Sequence, residues 1–124
     1  MIPILLVMAG GALGSGLRYL AGRWALAALG PDYPWETLGV NVVGGLVMGL
    51  LAGVLARSGG SEHVRLLVGV GVLGGFTTFS SFSLEVVTMI ERGALLGAAG
   101  YALVSVIGAV VALFAGLVLV RSVA

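Results

Sequence analysis

Long uncharged apolar stretches alternate with short polar clusters along this chain. The first stretch starts at Ile2 and runs through Leu17; Arg18 and Arg23 interrupt it, and it stays mostly apolar to Leu29. A second, Thr37 to Ala56, carries no charge. A third runs from Leu66 to Leu84 before Glu85 and continues as helix to Ile90, and a fourth, Ala94 to Val120, is again uncharged. A hydrocarbon core of about 30 Å takes about 20 helical residues to cross. The pattern therefore predicts one domain of four membrane-spanning helices over residues 2–29, 37–56, 66–90 and 94–120. The connections, Gly30 to Glu36, Arg57 to Arg65 and a tight Glu91 to Gly93 turn, hold most of the charges and turn formers. Tyr33 and Trp35, flanking Pro34, suit a membrane interface. The first basic residue follows the first apolar run, whereas a signal peptide carries its positive charge ahead of it, so that run reads as a membrane helix.

Composition narrows the picture further. Of 124 residues, 60% are hydrophobic and 9% charged, with a mean hydropathy of +1.20, so the polar shell of a water-soluble domain is missing and disorder is excluded. The fold class is an all-α integral membrane protein with lipid as its surroundings. A net charge of +1, with six scattered arginines as the only lysine or arginine residues, offers no nucleic-acid footprint. No cysteine is present, and no nucleophile, base and orienter stand together as an enzyme requires. His63 reads as a solvated loop residue without metal-ligand neighbours.

With four crossings, Arg57, Arg65 and Arg121 fall on one side and Arg18, Arg23 and Arg92 on the other, three against three. Orientation normally follows an excess of basic residues on the cytoplasmic side. An unbiased chain has no instruction, and insertion both ways builds an antiparallel, dual-topology dimer about an axis in the membrane plane. Chance, or a partner chain that fixes topology, is the alternative.

Most glycines read as packing residues. Gly10 and Gly14, and Gly45, Gly49 and Gly53, recur at four-residue spacing, which lets membrane helices approach closely. Gly69, Gly71 and Gly74 match a dinucleotide-binding pattern but lie inside an apolar run, so no such site is assigned. Gly74 and Gly75, followed by Thr77 and Thr78, are poor helix material at the middle of the third crossing and predict a broken helix there, with a continuous helix carrying a packing notch as the alternative. The polar residues within the spans are few, and those singled out are Asn41, Thr77, Thr78, Ser80, Ser81, Ser83, Glu85, Tyr101 and Ser105. They must face other helices or water. Neutral donors without fixed cations suit a route for an anion, while interhelical hydrogen bonding is the commoner use of Ser and Thr. Phe79 and Phe82 share a helical face; they are either packing or rings whose positive edges hold a small dehydrated anion.

The segments GGALGSGLRYL (Gly10 to Leu20), TLGVNVVGGLVMG (Thr37 to Gly49) and GVLGGFTTFSSFSLE (Gly71 to Glu85), followed by Tyr101 and Ser105, resemble the CrcB or Fluc family of fluoride channels. The resemblance implies a dual-topology homodimer in a prokaryotic plasma (inner) membrane, with two fluoride pores of opposite sense that passively expel fluoride. Phe79 and Phe82 match the phenylalanines that contact fluoride through ring edges, and Asn41 matches the pore asparagine beside them. Tyr101 and Ser105 match a polar track, with Thr78 and Glu85 near it. Gly74 and Thr77 match positions whose backbone carbonyls, from both subunits, hold a central structural sodium ion (Na+). Arg18 matches a vestibule arginine that draws anions in. The chain departs from the family pattern at Gly108 and Ala109, where a further hydroxyl often stands, and at Glu36, where glycine is frequent. Rival readings are a small multidrug resistance type exporter, which needs a carboxylate in the first helix that is absent here, a fluoride and proton antiporter using Glu85, and a purely structural subunit.

Overall fold

The computed structural model describes residues 1–123. Four long apolar helices make a multi-pass membrane protein: Ile2–Leu29, Trp35–Ser58, Glu62–Glu91 and Leu95–Ser122. In chain order the elements are α1 (Ile2–Leu29), α2 (Trp35–Ser58), α3 (Glu62–Val64), a π-helical segment (Arg65–Leu73), α4 (Gly74–Phe76), α5 (Phe79–Glu91) and α6 (Leu95–Ser122). The third crossing is thus assembled from several pieces, and between α4 and α5 the backbone is extended at Thr77 (φ −86°, ψ 159°) and Thr78 (φ −150°, ψ 121°).

The second and third crossings extend at both ends past the bounds that freedom from charge suggests. α2 begins at Trp35 because Pro34 takes the N-cap, and Glu36 then complements the positive helix end. It runs to Ser58, where Gly59 turns left-handed at φ 85° and stops it. The third crossing starts at Glu62, where the Ser61 hydroxyl accepts from the Val64 N–H (3.3 Å) and Arg65 pairs with Glu62 (2.7 Å). Charged residues end apolar runs, but at the interface they continue a helix, since water reaches them there.

Burial is inverted relative to a soluble domain. Leu96, Phe114, Leu103 and Leu20 point outward, as side chains facing lipid do, while Gly10, Gly14, Gly44, Gly49 and Gly116 lie inside. Between helices in lipid no hydrophobic drive operates, so attraction comes from close backbone contact. α1 lies along the first half of the third crossing on such contacts. A Cβ on Gly10 would meet Leu67 O and come 2.9 Å from the Gly71 Cα, and one on Gly14 would strike Val72 O and the Phe76 N–H. α2 and α6 make the second seam, where Gly45 and Gly49 meet the carbonyls of Ala109 and Leu113, and Gly116 meets that of Leu46. A smaller cluster of Phe82, Met89, Ala98 and Tyr101 joins α5 to α6.

The seam between α1 and the third crossing makes a graded prediction. Gly14→Ala pushes a methyl into the Val72 carbonyl, and thermal melting in detergent is expected to show a loss of about 2 kcal/mol, in the range for overpacking. Gly16→Ala, which meets nothing within 4 Å, is expected to stay within about 0.5 kcal/mol of the parent.

Candidate functional site: a polar seam at the interrupted helix

In an α-helix the N–H of Thr78 would bond the carbonyl of Gly74. Here it turns to the Asn41 side chain, donating to Oδ1 at 2.8 Å, and the Asn41 Nδ2 donates back to the Thr78 carbonyl at 3.0 Å. One amide side chain thereby satisfies both polar groups of an extended residue. The Gly75 carbonyl, whose helical partner would be Phe79, instead accepts from Arg18 Nε at 3.0 Å. Thr77 closes the first half through its N–H and hydroxyl, both donated to Leu73 O (3.0 and 2.9 Å). Thr78 opens the second half, its hydroxyl accepting from the Ser81 N–H at 3.2 Å. Arg18 sits at the depth of this interruption and not at the end of α1.

α2 presents one face to the extended pair. Thr37, Asn41 and Gly44 recur at helical spacing, and a Cβ on Gly44 would collide with the Thr77 methyl. Thr37 is buried, and its hydroxyl donates to Glu85 Oε2 at 3.0 Å, while Tyr101 donates to Glu85 Oε1 at 2.8 Å. Reading the sequence by candidate chemistry left Thr37 out. The signal for it was its position four residues before Asn41, masked by its place at the edge of an apolar run.

Beyond Asn41 an open groove of about 340 Å³ lies between α5 and α6, lined by Asn41, Thr77, Thr78, Phe79, Phe82 and Ser105. Phe82 is buried and Phe79 is 76% exposed, their ring centroids 5.5 Å apart at 44°. Phe82 continues to Tyr101 (5.3 Å), and Tyr101 meets Tyr33 edge-on (5.6 Å, 88°). Ser105 Oγ is buried with no hydrogen-bond partner among the described residues. An amide nitrogen has two hydrogens, so Asn41 keeps one beyond that given to Thr78. The groove therefore combines an unpartnered hydroxyl, a spare amide hydrogen and aromatic rings, whereas the donors of Thr37 and Tyr101 are committed to Glu85. Of the residues singled out from the sequence, Asn41, Thr77, Thr78, Phe79, Phe82 and Ser105 share this groove. Glu85 and Arg18 line a second cavity, of about 550 Å³, on the other side of Thr78. Gly74 faces away from the rest of the subunit, with nothing within 4 Å of where a Cβ would stand.

Residues 5–117 match the family described as CrcB-like protein, Camphor Resistance (CrcB). A protein of Mesorhizobium japonicum named fluoride-specific ion channel FluC is 57% identical over 122 residues, 98% of each chain. Proteins of the same name from Sphingopyxis alaskensis (58% identical, covering 93% of this chain and 92% of the relative) and Agrobacterium fabrum (52%, covering 98% of each) are similarly close. With nearly its whole length matched, this chain belongs to the CrcB family.

Proposed function

We propose that this protein is a fluoride-selective channel that lowers cytoplasmic fluoride by passive export across a prokaryotic plasma membrane. Its work is permeation and not catalysis, in keeping with relatives named fluoride-specific ion channels. The observation that carries the reading is the groove in which the unpartnered Ser105 hydroxyl and the spare Asn41 hydrogen lie beside Phe79 and Phe82. A small anion stripped of water needs donors that no other group occupies, and it gains from positive ring edges. Thr78, Tyr101 and Glu85 continue the polar line toward the second cavity, where Arg18 contributes positive charge.

The working unit in this proposal is an antiparallel, dual-topology homodimer with two pores. Phe79 lies largely uncovered on a single subunit and the groove is open along one side, so a second copy completes it. The even division of arginines supports insertion in both senses. At the dimer centre the Gly74 carbonyl, which has lost its Thr78 partner, and that of Thr77 fit a structural Na+, and Gly74 is exposed on the single subunit. Neutral oxygens suit a hard monovalent cation, which when bound would offset the repulsion between carbonyls brought together from two subunits.

The direct test is fluoride efflux from liposomes, read by electrode, with chloride and a proton gradient as controls. Voltage-following fluoride loss without chloride loss or obligatory proton movement is expected. No fluoride loss from folded dimer overturns the reading, and obligatory proton coupling would favour an antiporter with Glu85 as carrier. Phe82→Ile keeps apolar bulk and removes the ring edge; it is expected to cut fluoride flux at least tenfold while the dimer persists by size-exclusion chromatography. Asn41→Ala leaves the Thr78 N–H and carbonyl unpaired, and is expected to abolish flux and lower stability by about 2–4 kcal/mol in thermal melts.

A further inference from the structure

Glu36 stands in the first turn of α2, and a Cβ on Gly22 would collide with its Oε2, so the carboxylate lies folded against α1 one turn beyond Arg18. There it lines the cavity of about 550 Å³ that also holds Arg18, Arg23 and Glu85. The adjoining cavity, of about 310 Å³, shares Glu36 and Glu85 and adds Asp32 and Arg92. Across both, three arginines face three carboxylates. Two of these charges are fixed by neutral partners: Arg18 by the Gly75 carbonyl, and Glu85 by Thr37 and Tyr101. Glu36 is not among them. The one ion pair among the described residues is Arg65 with Glu62, at the opposite end of the bundle.

We propose, resting on the channel reading above, that Glu36 is a rate-setting residue whose carboxylate, together with that of Glu85, balances the positive charges of Arg18 and Arg23 at the pore mouth. A formally neutral mouth neither concentrates nor repels anions. Removing this one charge leaves a net positive cavity with low-dielectric walls, which raises the local fluoride concentration and the entry rate. The competing role is purely structural, since an acidic residue in the first turn also complements the helix dipole.

Ionic strength separates the two. Initial fluoride efflux from proteoliposomes is measured for the wild type and Glu36→Gln in an impermeant salt at about 10 mM and about 1 M, where the Debye length falls from about 30 to about 3 Å. At low salt the variant is expected to run about two- to fivefold faster than the wild type, with the difference vanishing at high salt. Glu36→Asp should behave as the wild type, and wild-type efflux should itself change little with salt. Equal rates in two conducting proteins overturn the proposal alone and assign Glu36 to the helix end, where its loss shows only as a lower melting temperature. An increase that persists at high salt overturns it as well, because it reports a contact and not a field. Should Glu36→Gln fail to fold, wild-type efflux that falls severalfold with salt overturns the neutral mouth directly. A wild type that passes no fluoride overturns the channel reading first.

Discussion

The pairing of the Asn41 side chain with both backbone groups of Thr78 is the interaction on which the rest of the site depends. In lipid no water is available to an N–H or carbonyl released from a helix, and each unpaired group costs several kcal/mol. An extended residue at this depth therefore needs one partner for its donor and one for its acceptor, in the right order and plane. A carboxamide supplies both from a single side chain. With Thr78 held in this way, its hydroxyl is free to cap α5, which places Phe79 and Phe82 on the face that borders the groove. Arg18 completes the arrangement from the other side by taking the Gly75 carbonyl.

Glycine makes these bonds reachable. Asn41 and Arg18 lie on different helices, and both must come within about 3 Å of the same short backbone segment. Gly10 and Gly14 seat α1 directly on the backbone of the third crossing, and Gly44 leaves room on α2 for the Thr77 methyl. Packing and polar chemistry are thus one problem here. A side chain added at the seam would separate the helices, and the hydrogen bonds at the extended pair would lengthen with it.

Charge within the span is handled by pairing it with neutral hydrogen-bonding groups. Glu85 accepts from Thr37 and Tyr101, one to each oxygen, and Arg18 gives to a carbonyl, so neither charge relies on an opposite charge alongside. That leaves the groove beyond Asn41 without a fixed charge. On the pathway proposed above, a fixed cation there would hold an anion too tightly to release it, whereas hydroxyl, amide hydrogen and ring edge would bind weakly enough to let it pass.

That the chain carries four helices long and apolar enough to cross a membrane was determined by the sequence alone, because freedom from charge over about 20 residues is a local property that lipid reads directly. So was the shared face of Phe79 and Phe82, which follows from helical spacing, and the short roster of polar residues inside the spans. Only the tertiary structure decided what those residues bond. Asn41 meets Thr78 across 37 positions, Arg18 meets Gly75 across 57, and Thr37 meets Glu85 across 48. Such pairings depend on the register between helices that glycine contacts bring together, and periodicity within one helix carries no information about its register against another. For the same reason the helical spacing of Thr37 from Asn41 did not reveal that Thr37 bonds Glu85, and Glu36, a charge before a helix, showed nothing of the cavity it lines.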